Sequence, residues 1–195
     1  MDKMLDLRDL LQHEIDDLYS AEEQIIEALP KMMEKATNPA LRQALNQHLQ
    51  VTKEQKKRLD EVRKLMESEN KEPGFLEKIF GGSKCKGTEG LIKEGEKMMN
   101  EKMENSVRDA AIIASAQKIE HYEISGYGTA RAYAMQLGLS EVEDLLTATL
   151  NEEYEADDSL TALAFFDVNL QAEFGDPLES EKSSGSGAQF GKDGQ

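Results

Sequence analysis

Along four long stretches of this chain, apolar residues recur at alternating spacings of four and three, the period of a helix with one face turned to a core. The second stretch shows the pattern without a slip: Leu41, Leu45, His48, Thr52, Gln55, Leu59, Val62 and Met66. The third carries Ile113, Ala116, Glu120, Glu123, Tyr127, Ala130, Ala134 and Leu137. The fourth carries Val142, Leu146, Thr149, Glu153, Ala156, Leu160 and Leu163, and the first contributes Leu7, Leu11, Leu18, Glu22, Ile25 and Leu29. All four stripes are apolar at both ends and polar in the middle. A lapse repeated at one height in four helices requires a chemical reason.

Proline and glycine set the boundaries. The first helix is expected over about residues 5–36, closing at Thr37-Asn38-Pro39. Pro30 lies inside it and predicts a kink or break near Leu29, because proline removes a hydrogen bond and crowds the carbonyl one turn back. The second helix is expected over about 40–69. A segment rich in breakers follows (Pro73-Gly74, Gly81-Gly82-Ser83, Gly87), with a short amphipathic helix at about 89–101. The third long helix spans about 107–136 and stops at Gly138; Ser140 with Glu143 reads as a capping box for the fourth, about 141–170. No period-2 alternation persists, so no strand is predicted. Beyond Phe174, Gly175-Asp176-Pro177 and a Ser-Gly run predict a flexible tail. The fold class is therefore all-α: an up-down four-helix bundle over 1–172, with an extra short helix between the second and third helices, and a tail at 173–195.

Helices joined by short turns run antiparallel, so residues equally far from a turn share a height. Counting from Asn38, Glu22 lies 16 residues back and is level with Thr52 to Gln55. Counting from Leu139, Glu120 and Glu123 are level with residues 155–158, within a turn of Glu153 and including Asp157. Glu22, Glu120, Glu123 and Glu153 thus point into one core, and no stripe position carries Lys or Arg. An uncompensated buried carboxylate costs several kcal/mol, whereas one or two bound cations hold several carboxylates at once. Carboxylates with an imidazole suit iron or, as the alternative, manganese, and glutamates can bridge two ions. The candidate metal ligands are Glu22, His48, Glu120, Glu123, Glu153 and Asp157, with Gln55 in reserve. A lone glutamate or histidine at such a position would read as a flank or rim residue. Tyr127 reads as a core aromatic, Glu14 and Asp17 as solvated margin positions, His121 as outward, and Cys85 as a residue without a role.

Charge narrows the partners. With 23 Lys+Arg against 39 Asp+Glu the net charge is −16, which repels nucleic acid and anionic membrane and favours cations. The single cysteine permits no intramolecular disulfide, and the first residues lack an apolar signal core, which together favour a cytoplasmic location. No apolar run reaches the roughly 18 residues of a membrane span.

Several motifs in order give these residues a family likeness: Asp17-Leu18-Tyr19-Ser20-Ala21-Glu22; His48-Leu49 with Thr52 and Arg58-Leu59; Cys85-Lys86-Gly87 with Gly90-Leu91-Ile92-Lys93-Glu94-Gly95; Glu120-His121-Tyr122-Glu123-Ile124 with Gly126-Tyr127-Gly128; and Leu150-Asn151-Glu152-Glu153 with Asp157. The chain resembles the YciE/YciF family of bacterial ferritin-like proteins over about Leu5 to Phe165. The resemblance implies a ferritin-like (rubrerythrin-like) bundle, a homodimer and a link to stress response, and says little of activity. The wider di-iron pattern has Glu-x-x-His on the second and fourth helices. Here Thr52-x-x-Gln55 and Glu153-x-x-Ala156 stand in those slots, with His48 one turn earlier, while Glu120-x-x-Glu123 resembles the doubled glutamate of rubrerythrins.

Three functions are compatible with this reading. One is a two-metal oxidoreductase acting on peroxide or dioxygen, with an unidentified electron donor. The second is a metal-binding stress protein without turnover. The third is a structural bundle whose polar layer is merely hydrated. A Cys-x-x-Cys electron-transfer motif is absent from the sequence, which weakens the first.

Overall fold

The computed structural model describes residues 4–69 and 84–174. Helix α1 (Leu7–Lys35) turns at Ala36–Asn38 into α2 (Pro39–Glu69), and α4 (Asn105–Gln136) turns at Leu137–Leu139 into α5 (Ser140–Leu163). Between the hairpins lies α3 (Lys86–Met99); a π-helical turn (Ala164–Val168) and a short α6 (Asn169–Phe174) follow α5. No strand occurs among the described residues. None of their helices is long and apolar enough to cross a membrane.

Two apolar clusters fix the topology. One joins the start of α1 to the ends of α2 and α4 and the start of α5, through Leu11, Ile15, Val62, Met66, Ala134 and Val142. The other joins the opposite ends, through Leu29, Met32, Leu41, Leu45, Ile112 and Leu160. The helices therefore run up, down, down and up: α1 is antiparallel to α2, and α4 to α5. The connection that includes α3 crosses the length of the bundle, the ferritin-like arrangement with one long crossover. Helix α3 packs along α1 and α4.

Local sequence explains most helix ends. Asp6 caps α1 by accepting from the amides of Arg8 and Asp9 at 2.9 and 3.0 Å. Asn38 does the same for α2, its Oδ1 accepting from the amides of Ala40 and Leu41, and Pro39 stands where a missing N–H costs nothing. Buried Asp109, at the start of α4, clamps this turn by accepting from the Thr37 amide (2.7 Å), the Thr37 hydroxyl (2.6 Å) and the Asn38 amide (2.8 Å). Asp109→Ala would leave these donors unpaired. It is expected to cost about 2–3 kcal/mol and to lower Tm by roughly 5–10 °C; a shift below about 1 °C in a thermal melt would refute the clamp.

Three expectations are corrected. Of the kink or break expected near Leu29, the break does not occur: helix α1 continues through Pro30, which lies on the exposed side, where water reaches the carbonyl left without a donor. The capping box at Ser140 does not form: Leu139 is the cap residue, without a side-chain cap bond, and Ser140 is already helical. Gly138, with φ at +72°, makes so tight a turn that Leu139 reaches the core and its amide bonds back to the Ala134 carbonyl at 3.0 Å. The fourth helix is not regular to residue 170. A π turn inserts one extra residue, so that Val168 returns to the buried face of Leu160, where a regular helix would place Asp167. Asp167 instead accepts from the Asn38 amide group at 2.9 Å. The tail expected from 173 lies, from residue 175 onward, outside the described residues, as do Pro73-Gly74 and Gly81-Gly82-Ser83; Glu173 and Phe174 belong to α6.

Candidate metal centre

Midway along the bundle, between the two apolar clusters, each long helix contributes polar groups. Glu22 comes from α1, His48, Thr52 and Gln55 from α2, Glu120 and Glu123 from α4, and Thr149 and Glu153 from α5. The same 4-3 spacing that buries Leu and Ile above and below buries these residues too. Glu22 and Glu153 are 0 % exposed, Glu123 1 % and Glu120 2 %. One ligating atom each from His48, Glu120, Glu123 and Glu153 lie within 4.8 Å of one another. Glu22 completes the layer from the α1 side, its carboxylate accepting from the Tyr127 hydroxyl.

The hydrogen bonds stop short of satisfying this layer. The Gln55 amide donates to Glu153 Oε1. One oxygen on each of Glu22, Glu120, Glu123 and Glu153, and Nε2 of His48, are buried without a hydrogen-bond partner. His48 Nε2 is 3.3 Å from Glu120 Oε1, close enough for an ion pair but not aligned as a hydrogen bond. Unpartnered ligand atoms on the four clustered residues, with another on Glu22 in the same layer, are what a cation would satisfy. Their chemistry, carboxylate oxygens with one imidazole nitrogen, fits iron or manganese.

Burial also sets the protonation of this layer. Burial pushes the carboxyls of Glu22, Glu120 and Glu123 well above the usual range, and the Glu153 charge raises each further. Glu153 is pushed up to about 7, chiefly by burial, with Glu120 and Gln55 as hydrogen-bond partners holding it down. Burial lowers His48 to about 4, so its imidazole is neutral at pH 7. A neutral imidazole keeps a lone pair for a metal. The Arg58 guanidinium grips Glu152 through two bonds of 2.8 and 2.9 Å and donates to the Thr149 hydroxyl at 2.6 Å, and its charge lowers Glu22 and Glu153 only against the larger effect of burial.

Asp157 stands apart from the cluster. It accepts from Gln117 at 3.0 Å and lies 3.3 Å from Nε2 of His121, whose side chain is 67 % exposed. Asp17, read as solvated, is half-buried: it accepts from the Tyr122 hydroxyl at 2.6 Å and lies 3.1 Å from the Cys85 sulfur. Cys85, assigned no role from sequence, is buried and caps α3 by accepting from the Thr88 amide at 3.4 Å. Gly87 makes this packing possible, since a Cβ there would meet the Tyr122 ring at 2.7 Å. The sequence signal for it was the Cys85-Lys86-Gly87 motif, whose partners lie 37 and 68 residues away. A cavity of about 170 Å³ opens between α2 and α5 and is lined by His48 and Glu120.

A family model described as a domain of unknown function, DUF892, matches residues 6–173. The chain is 42 % identical over 170 residues to Protein YciF of Escherichia coli strain K12, covering 87 % of this chain and 97 % of that protein. Among solved structures it is similar to the E. coli stress protein YciF, with 40 % identity, a TM-score of 0.76, and 85 % and 99 % of the two chains covered. It is likewise similar to YcfI of Rhodopseudomonas palustris, whose description proposes a structural role, with 42 % identity, a TM-score of 0.74, and 84 % and 98 % covered.

Proposed function

The chain belongs to the DUF892 family, and from that premise we propose that it binds metal in the middle of its bundle, with iron or manganese at a two-ion site. The proposed ligands are Glu22, His48, Glu120, Glu123 and Glu153. The single observation that carries this is the convergence of His48, Glu120, Glu123 and Glu153 within 4.8 Å, each with a buried ligand atom that has no hydrogen-bond partner. Each residue has a part that does not depend on which ion is held. Tyr127 and Gln55 orient Glu22 and Glu153, and the apolar clusters on either side exclude water. The test is elemental analysis of protein purified without chelators and after loading with Fe²⁺ or Mn²⁺. About two ions per chain are expected from the two-metal pattern; no stoichiometric metal in either preparation would refute it.

A bound pair of redox-active ions would supply electron cycling, and we extend the proposal to action on peroxide or dioxygen in stress response. The cavity that reaches His48 and Glu120 supports this, since a small oxidant needs a way in. Metal binding without turnover is the alternative, favoured by the absence of a Cys-x-x-Cys pair to deliver electrons. Peroxide consumption by the loaded protein separates them: loss above that of free metal supports turnover, and equality supports storage or a structural role. A cytoplasmic location and a homodimer complete the proposal, the first resting on the single cysteine and the second on the family resemblance.

A further inference from the structure

We infer that the cleft between α2 and α5 is the route by which divalent cations reach the core, an inference that rests on the metal-binding function proposed above. The bundle is not equally closed on its faces. Helix α3 packs over α1 and α4 and covers that side. Where α2 meets α5, the small residues Ala44, Ala156 and Ser159 are among those that line a cavity of about 170 Å³.

Its lining is graded. At the mouth stand Gln47 and Glu155, both exposed. Deeper in stand His48, whose side chain is 12 % exposed, and Glu120 at 2 %, each with an unpartnered ligand atom. The route thus leads from an acidic, solvated lip to two members of the cluster, while Glu123 and Glu153 lie behind them at 1 % and 0 % exposure. Neither cavity beside α3 is lined by any of the five proposed ligands, and one of the two holds only about 10 Å³.

Size and charge select the traveller. The cleft of about 170 Å³ has room for several waters, and so for a small hydrated cation. A net charge of −16 raises the local concentration of cations, and Glu155 focuses it at the lip. Exchange of hydration water for His48 Nε2 and Glu120 Oε2 would then begin inside the cleft, before the ion meets the remaining carboxylates.

The test is the rate of Co²⁺ uptake by the full chain, followed by stopped-flow absorbance, with final stoichiometry measured separately. Ala156→Phe fills the cleft while leaving every proposed ligand in the sequence. It is expected to slow uptake at least about tenfold while leaving final stoichiometry unchanged. Uptake at the wild-type rate would overturn the route. Should Ala156→Phe lose its helical circular dichroism, Gln47→Trp, at an exposed position on the opposite lip, decides the question by the same two outcomes. Glu155→Lys is expected to slow uptake about threefold at low ionic strength, with the difference vanishing near 0.5 M salt as screening shortens. Equal rates at low salt would overturn the part given to the acidic lip. A wild-type chain that takes up no Co²⁺, Fe²⁺ or Mn²⁺ would remove the metal-binding function and the route together; one that loads as fast as the filled variant removes the route alone.

Discussion

Glu123→Ala is expected to abolish stoichiometric metal. Glu123 is 1 % exposed, its Oε1 has no partner, and it lies with His48, Glu120 and Glu153 in the group whose ligand atoms fall within 4.8 Å. Loss of groups that merely support ligands costs about 10–100-fold in affinity, so removal of a ligand is expected to cost at least about 100-fold. Metal per chain should fall below about a tenth of wild type after dialysis against micromolar metal. Glu120→Gln is the gentler probe, since it keeps volume and removes one charge; a partial loss is expected. Asp157→Ala is the matched control, because Asp157 is occupied by Gln117 and His121 outside the cluster, and it should retain the metal. Unchanged metal content in a well-folded Glu123→Ala protein would remove Glu123 from the ligand set. Loss in Asp157→Ala would mean that Asp157 turns inward when metal binds.

The parts of this structure that sequence made legible are those governed by periodicity. Burial repeats with the helical turn, so Leu59, Val62 and Met66, and equally Thr52 and Gln55, could be placed inside from spacing alone, and all five are buried. Heights followed from antiparallel turns, which is why Glu22, Glu120, Glu123 and Glu153 could be assigned to one layer. What spacing could not supply was the direction of a side chain at the edge of a stripe, where partners are remote in sequence. Asp157 sits at the right height but is turned to the α4 flank by Gln117 and His121. Asp17 is drawn inward by Tyr122, 105 residues away. Cys85 gained a capping role only because α3 folds back along α1. The π turn after Leu163 was hidden for a related reason: it answers the needs of Val168 and the Asn38–Asp167 contact, neither of which leaves a mark on local composition.

With its metal removed, the protein is expected to become less stable as pH rises from 5 to 8, the reverse of a protein held by surface ion pairs. A carboxyl whose folded-state pKa lies above its unfolded value binds extra protons in the folded chain. Its contribution is complete below the unfolded value and is lost as pH rises through the folded one. For Glu153 that window runs from 4.5 to about 7 and amounts to about 3 kcal/mol. Glu22, Glu120 and Glu123, raised well above the same starting value, carry the loss to higher pH. His48 acts in the opposite sense: lowered from 6.5 to about 4, it resists protonation in the folded chain and so penalises the folded state as pH falls below 6.5. One imidazole opposes four carboxyls, so the net slope is downward, and above pH 6.5 nothing opposes it. Bound metal changes the sign of the problem, because it holds the carboxylates ionised and leaves no extra protons to lose; its own hold on the fold strengthens as competing protons leave. Urea midpoints of metal-free and loaded protein at pH 5, 6, 7 and 8 would show this as two diverging curves, falling for the first and level or rising for the second. A metal-free midpoint that stays constant or rises across that range would mean that the four glutamates are already compensated, and the physical case for a cation in the core would fail.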